Sequence, residues 1–291
     1  MRRVLQLLAA AAVLLCTTEL SAEAAGLSRP LVLESAAFRT PGAPSVILHA
    51  PPGWNPRAPL HLVVFLHGYN GCVNVLMAAG PSRCKPKAPE RDGWDLGRYH
   101  DAAGTNSLFI VPQLAFAQRN GDPGAFKRPG AFRAFLEELL RKGLQKPLGG
   151  PRTWKDVASL TLIAHSGAYQ AALAIAESGG VRAQLKAIVL LDALYGETDR
   201  YAELLEHAAG LRFVSIYLAL GTPRTESERL YQRLSQSLGA AVAKAKTPEL
   251  ARGVVEHRVL FAPGRPPHRL LPQTHLSELL RALRQLYLPP R

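Results

Sequence analysis

Short, continuous runs of apolar residues recur along the chain, separated by longer stretches in which apolar and polar positions follow a helical period. A continuous apolar run is typical of a strand buried on both faces, as in a parallel sheet. The runs that we interpret as such strands are 60–66, 107–111, 159–164, 185–191, 212–220 and 254–261. The stretches that we interpret as helices are 132–140, 166–177, 199–209, 226–246 and 276–288. This alternation predicts an α/β domain built on a doubly wound, mostly parallel sheet.

Two shorter runs precede the first of these strands. Residues 31–33 and 45–48 are short, mainly apolar runs, and the turn-forming residues 41–44 (Pro-Gly-Ala-Pro) separate them. Such a pattern predicts an N-terminal antiparallel hairpin.

The first residues have the pattern of a secretory signal peptide. Two arginines are followed by an apolar run over 4–16 and by Ala22-Glu23-Ala24, a small-x-small cleavage signal. The run is about thirteen residues, whereas a membrane span needs roughly 20. We therefore expect residues 1–24 to be removed, leaving one domain over 25–291 that is secreted or periplasmic. No other run is long enough to predict a transmembrane segment in the mature chain.

The formal net charge of +13 raises the question of anionic partners. The basic residues are scattered and do not alternate with aromatic residues, so the sequence gives no indication of nucleic-acid binding. A basic exported protein would be attracted to an anionic envelope surface, either polymers or lipid head groups. The competing interpretation is a compositional preference for arginine that has no functional meaning.

Cys72 and Cys84 are the two cysteines that remain after the leader. An even pair in an exported protein is typical of a disulfide bond, and we predict a bridge between them. Two free thiols in a reducing compartment are the alternative.

Ser166 is the first candidate for chemistry. It lies between the predicted strand 159–164 and an alanine-rich helical stretch. A serine at such a tight turn is held in an unfavourable backbone conformation that projects its hydroxyl from the sheet edge. The strand and helix cross closely there, which requires small residues two positions away on each side, and Ala164 and Ala168 satisfy this requirement.

Other polar residues follow the predicted strands. His67 and Gly68 come directly after 60–66, Asp192 follows 185–191, and His275 lies between the last strand and the last helix. A buried strand that ends in His-Gly upstream of the serine, and the order serine, aspartate, histidine, together resemble the α/β-hydrolases. The resemblance extends over nearly all of the mature chain, although only these positions carry it in detail.

The resemblance implies a role for each residue. Ser166 would attack a carbonyl carbon, His275 would accept its proton, and Asp192 would orient and stabilise the imidazole. The backbone N–H groups of Tyr69 and Gly167 would form the oxyanion hole.

Two of these assignments have competitors. The family usually carries the acid after the strand that follows Asp192, but no carboxylate occurs there before Glu226. Glu226 is therefore the alternative acid, with Glu197 and Asp199 behind it. His268 competes with His275 as the base, and we choose His275 because it directly precedes the predicted last helix.

The function that the resemblance implies is that of an exported serine hydrolase, a carboxylic ester hydrolase acting through an acyl-enzyme on a small-molecule or lipid ester. A secreted serine peptidase or amidase of the same fold is one alternative, and a non-catalytic, envelope-binding member of the fold is another. The sequence has no H-E-x-x-H motif, no Cys and His pair at ligand spacing and no phosphate-binding glycine loop. We therefore expect no cofactor and no metal.

Overall fold

The architecture comes from a computed structural model that describes residues 26–40, 42–114, 122–146, 148–246, 249–265 and 267–287. The predicted leader, residues 1–24, lies outside the described residues. The same is true of residues 117–121 in the glycine-rich loop that follows the second predicted parallel strand, and of residue 288 at the end of the last predicted helix.

One mixed sheet of nine strands organises the described part of the chain, with the order β1-β2-β4-β3-β5-β6-β7-β9-β8. The first two strands and β4 are paired antiparallel, and every other neighbouring pair is parallel. The strands are β1 (Leu27–Leu31), β2 (Val46–Ala50), β3 (Leu60–Leu66), β4 (Leu108–Pro112), β5 (Val157–His165), β6 (Leu185–Leu191), β7 (Arg212–Tyr217), β8 (Val242–Lys244) and β9 (Val259–Pro263).

Helices cover both faces of the sheet and bury two apolar layers. One layer contains side chains of α3, α4, α5 and α6, and the other contains side chains of α1, α2, α7 and α8. The helices are α1 (Val73–Met77), α2 (Leu96–Asp101), α3 (Ala131–Gly143), α4 (Tyr169–Ser178), α5 (Thr198–His207), α6 (Thr222–Leu238), α7 (Leu250–Glu256) and α8 (Leu271–Arg284). Among the described residues, every helix is too short or too polar to cross a bilayer.

This architecture confirms the predicted fold class: a doubly wound, mostly parallel sheet with an N-terminal antiparallel hairpin. The first hairpin strand, β1, lies earlier than the predicted run 31–33, whereas β2 overlaps the predicted run 45–48; the two strands pair Leu31 with Val46. The central strands β3 to β6 match their apolar runs closely, since full burial on both faces requires an uninterrupted apolar sequence.

The C-terminal elements differ more from the prediction. The run 254–261 divides into the end of α7 and the strand β9, and the segment 226–246 into α6 and the edge strand β8. Gly239, with a φ of 55°, ends α6 because few other residues adopt that left-handed conformation. Helix α8 begins at Leu271 rather than Leu276, with Pro272 in its first turn, a position that proline favours.

The sheet topology determines where a site can form. Strands β5, β6, β7 and β9 are parallel neighbours, so the segments that follow them all emerge at the same edge. Ser166 follows β5 and Asp192 follows β6. The segment 264–270 follows β9 and leads into α8.

Candidate active site

Ser166 occupies the turn between β5 and α4 that its sequence predicts. Its φ of 57° lies in the left-handed region, which costs energy for a residue with a Cβ atom. Ala164 and Ala168 are completely buried on either side of it. Small residues are required here because strand and helix cross at this point, and the strained turn places the serine at the carboxyl edge of the sheet.

The turn after β3 lies directly against this serine. A Cβ atom added at Gly68 would lie 2.5 Å from Ser166 Cβ and 2.9 Å from the backbone nitrogen of Gly167. Only glycine allows that approach. The turn closes with a hydrogen bond of 3.1 Å from Gly71 N–H to the Gly68 carbonyl, with Asn70 in the left-handed region. The backbone of residues 68 and 69 therefore runs beside the N–H of Gly167.

The side chain of His67 holds the turn after β3 in place. Its Nδ1 lies 3.0 Å from the Gly68 carbonyl, and its Nε2 accepts a hydrogen bond of 3.0 Å from the backbone N–H of Leu114. The amide nitrogen of Gln113 lies 2.9 Å from the same Nε2. Complete burial lowers the pKa of His67 to about 4, so the imidazole is neutral and acts as a fixed brace at neutral pH.

Asp192 has a histidine partner, and that partner is His268. The Nδ1 of His268 lies 2.6 Å from Asp192 Oδ2, while Asp192 Oδ1 accepts a hydrogen bond of 3.0 Å from the backbone N–H of Leu218. The carboxylate is nearly buried, with its side chain 5% exposed, and the imidazole is 37% exposed. A buried carboxylate on Nδ1 fixes the tautomer of His268 and turns Nε2 away from the acid.

The structure corrects the choice of base, because His275 does not reach Asp192. His275 lies inside the first turns of α8, is 2% exposed, and neither of its ring nitrogens has a hydrogen-bond partner. Its nearest carboxylate is Glu278 on the same helix, with Oε2 at 3.8 Å from Nδ1. Burial lowers the pKa of His275. The physical reason for the difference is the earlier start of α8, which leaves His268 in the segment before the helix and places His275 on the buried face of the helix.

The alternative acids have other partners. Glu226 Oε2 accepts a hydrogen bond of 2.5 Å from the hydroxyl of Thr198 and lies 3.6 Å from Arg229. Glu197 and Asp199 pair with arginines on the exposed side of α5 and α6. Asp192 is therefore the carboxylate that the fold brings to a histidine at the sheet edge.

His165, the residue before the serine, holds the segment that carries His268. Its Nε2–H donates a hydrogen bond of 3.0 Å to the backbone carbonyl of His268, and the two rings lie 4.5 Å apart. Trp94 packs edge-on against its other side, with ring centroids 5.4 Å apart. Burial is the largest cause that lowers the pKa of His165 to about 3, so this imidazole is neutral. One side chain thus links the turn that carries Ser166 to the segment that carries His268.

Tyr195 completes the surroundings of the serine. Burial is the largest cause that raises its pKa, followed by the nearby charge of Asp192, whereas the neighbouring Ser166 lowers it. The phenol therefore remains protonated at neutral pH. It lies three residues beyond Asp192, and its sequence position carries no signal that sets it apart from other tyrosines.

The disulfide between Cys72 and Cys84 is formed, as predicted. It is buried beside Val75 next to the turn after β3. Arg91 connects it to that turn, donating a hydrogen bond of 2.6 Å to the Asn70 carbonyl while the same nitrogen lies 3.6 Å from Cys84 Sγ. The bridge therefore supports the segment that leads from Gly68 into α1.

The sheet order, the antiparallel hairpin and the serine turn at the carboxyl edge together define the fold of the α/β-hydrolases.

Comparison of the coordinates with solved structures agrees with this fold. A feruloyl esterase module from Clostridium thermocellum, solved as a serine-to-alanine mutant with sinapinate, is 9% identical, with a TM-score of 0.53 over 88% of this chain and 87% of that chain. A structure named FAE is 8% identical, with a TM-score of 0.50 over the same shares.

No protein-family model and no curated protein matches the sequence. At identities this low, structural likeness establishes the fold alone. The activity has to be argued from the residues at the sheet edge.

Proposed function

We propose that the chain is an exported serine hydrolase that cleaves carboxylic esters through an acyl-enzyme on Ser166. The observation that carries this proposal is the 2.6 Å contact between His268 Nδ1 and Asp192 Oδ2, at the same edge of the sheet where Ser166 is held at a strained turn. A nucleophile, an acid and a base that follow the parallel strands β5, β6 and β9 at one edge of the sheet are the elements that acyl transfer requires.

In this mechanism His268 accepts the hydroxyl proton of Ser166 as the oxygen attacks the ester carbonyl. Asp192 keeps the imidazole in the tautomer with its lone pair on Nε2 and stabilises the imidazolium that forms. His268 then gives this proton to the leaving alcohol. In the second half of the reaction, water attacks the acyl-enzyme while His268 accepts its proton, and His268 returns the proton to Ser166 as the acid is released.

The negative charge on the tetrahedral intermediate needs fixed donors. We assign this role to the backbone N–H groups of Tyr69 and Gly167. The support is the contact between the two turns, since Gly68 has no room for a side chain against Ser166 and Gly167. Donors held in place before the reaction stabilise the developing charge without reorganisation.

Export is part of the proposal. It rests on the leader-like residues 1–24 and on the formed disulfide, which persists in oxidising compartments. The ester is a small-molecule or lipid ester, and the net charge of +13 suits a substrate or surface that carries negative charge. Peptidase or amidase activity and non-catalytic envelope binding are the competing hypotheses.

Labelling with a fluorophosphonate probe tests the nucleophile. Wild-type protein is expected to be labelled and to hydrolyse short-chain nitrophenyl esters, and Ser166→Ala is expected to lose both properties. Ser178→Ala is the matched control, because Ser178 ends the helix that Ser166 precedes and its hydroxyl donates a hydrogen bond to the Ala174 carbonyl of the same helix.

The remaining outcomes separate the hypotheses. Faster turnover of peptide anilides than of nitrophenyl esters would replace the esterase by a peptidase. A folded wild-type protein without labelling would refute the serine hydrolase and favour the non-catalytic alternative.

A further inference from the structure

Three potential metal ligands converge on the end of the sheet opposite to Ser166. His49 lies in β2, paired with Phe109 near the amino end of β4, whereas Ser166 follows the carboxyl end of β5. His100 and Asp101 are the last two residues of α2, which packs over this end. Sequence spacing does not predict the cluster, because His49 is distant along the chain from the other two.

The side chains are close enough to share one ion. One ligand atom from each of the three residues lies within 4.8 Å of the other two. His49 Nε2 is 2.8 Å from Asp101 Oδ1, and the rings of His49 and His100 are nearly perpendicular, with centroids 5.6 Å apart. Both histidines are almost fully buried, and Asp101 is 22% exposed, which leaves a route from solvent.

A second observation concerns the ring nitrogens on the outer side of the cluster. His49 Nδ1 lies 2.8 Å from the hydroxyl of Ser28, and His100 Nε2 lies 2.9 Å from the hydroxyl of Ser107. Thr105 in turn contacts the Ser107 hydroxyl at 2.8 Å. Hydrogen bonds to the far nitrogen are what orient metal-binding histidines and fix their tautomer. The hydroxyls direct His49 Nε2 and His100 Nδ1 toward the ion position.

We propose that His49, His100 and Asp101 form a zinc site, with the fourth position taken by water. Two imidazoles and one carboxylate are ligands that Zn²⁺ binds at about 2.0–2.2 Å. Tetrahedral ligand atoms at such distances lie about 3.3 Å apart. Small rotations of the three side chains would bring their ligand atoms, which lie within 4.8 Å of one another, to separations of about 3.3 Å.

The position of the site implies a structural role. The ion joins β2 to α2, and α2 packs against α8 by hydrogen bonds such as that of 2.6 Å from the Ser277 hydroxyl to the Tyr99 carbonyl. Bound zinc therefore cross-links the antiparallel edge of the sheet to a helical layer. Because it binds only the folded chain, it stabilises that state by mass action. The site takes no part in ester hydrolysis.

Zinc binding is tested on the full chain, stripped with a chelator and dialysed. Isothermal titration with Zn²⁺ is expected to give one site per chain, and zinc at 100 times the dissociation constant is expected to raise the unfolding temperature. Co²⁺ in place of zinc is expected to give the strong visible absorption of a four-coordinate ion.

Three variants locate the site. Asp101→Asn, which keeps the shape and loses the charge, is expected to abolish the thermal shift. Ser107→Ala is expected to weaken binding by about 10- to 100-fold, as loss of an outer hydrogen bond does. His61→Asn is the matched control, since His61 is also a buried histidine held by a serine, with Nδ1 2.7 Å from Ser159 Oγ, but lies on β3 outside the cluster.

Absence of a one-to-one titration in folded wild-type protein would overturn the proposal and leave the cluster as a hydrogen-bond network. Unchanged binding in both Asp101→Asn and Ser107→Ala would overturn it equally, by placing the ion elsewhere. If Asp101→Asn fails to fold, the graded loss in Ser107→Ala against wild-type binding in His61→Asn decides the question.

Discussion

His268 and Asp192 are joined by a 2.6 Å contact between Nδ1 and Oδ2, although they follow different strands of the sheet. The proposed mechanism makes this contact essential, whereas His275, seven positions along, lies on the buried face of α8, and its ring nitrogens have no hydrogen-bond partner among the described residues. We expect His268→Ala to lower kcat for ester hydrolysis by about 10³-fold or more, as loss of a triad member does.

The matched variant is His275→Leu. It removes a buried imidazole that has no hydrogen-bond partner, so kcat should stay within about twofold and the protein should remain as stable or become more stable. Steady-state kinetics and thermal unfolding of both variants provide the measurement. A large loss of kcat in His275→Leu with retained activity in His268→Ala would restore the original sequence-based choice.

Gly68→Ala tests the contact between the two turns. The added methyl group would lie 2.5 Å from Ser166 Cβ and 2.9 Å from the nitrogen of Gly167, so one turn must move. Displacement of an oxyanion donor typically costs 10²- to 10³-fold in kcat, and we expect a loss of about that size. Gly80→Ala is the control, because no atom lies within 4 Å of its added Cβ. Equal kinetics in the two variants would contradict the proposed oxyanion hole.

The disulfide contributes to stability and to the site. Replacing both Cys72 and Cys84 by alanine is expected to lower the free energy of unfolding by about 2–3 kcal/mol, given a short closed loop. It should also lower kcat modestly, since Arg91 links the bridge to the Asn70 carbonyl. Urea denaturation and ester kinetics measure the two effects.

Arg91→Ala separates the effect on stability from the effect on kcat, because it removes the contact with Asn70 and keeps the disulfide. An unchanged free energy of unfolding in the double alanine variant would argue against a structural role for the disulfide.

Acid should destabilise the protein through its buried histidines. His67 and His165 have pKa values of about 4 and about 3 when folded, lowered by burial, against about 6.5 in an unfolded chain. At pH values between the folded and unfolded pKa, the unfolded chain binds more protons than the folded chain. The contribution of each histidine to the free energy of unfolding is therefore complete above pH 6.5 and is lost as the pH falls. When the pH falls from 7 to 5, each of the two histidines should lower the free energy of unfolding by about 2 kcal/mol.

Urea denaturation at pH 7 and pH 5 measures the loss. His165→Gln, whose amide can still donate to the His268 carbonyl, should reduce the difference between the two pH values by about the share of one histidine. The same pH dependence in the variant and the wild type would show that His165 does not fold as a neutral group.

Much of the sheet could be predicted because burial on both faces imposes an uninterrupted apolar sequence. Strands β3, β5 and β6 satisfy that rule closely. The C-terminal elements do not, since the edge strand β8 has only three residues and none of them is buried, and the apolar run 254–261 is divided between α7 and β9. Apolar composition alone cannot divide such a run between a helix and a strand.

The site could be predicted only in part, because sequence order gives the strand ends and not the side chains that meet there. Asp192 could be placed at the end of β6. Two histidines seven positions apart could not be told apart without the start of α8. Pro272 was the available signal, since proline favours the first turn of a helix. Tyr195 and Gln113 carry no motif, and their roles depend on contacts across the fold.

Two buried histidines flank Ser166, and their protonation state has a consequence for proton transfer. His67 on one flank and His165 on the other are both imidazoles that burial leaves with little affinity for a proton. Of these and His268, the histidine on Asp192 is thus the one available to carry a proton during turnover. In the proposed mechanism the two flanking histidines therefore hold the site in shape, and neither takes a proton from the substrate.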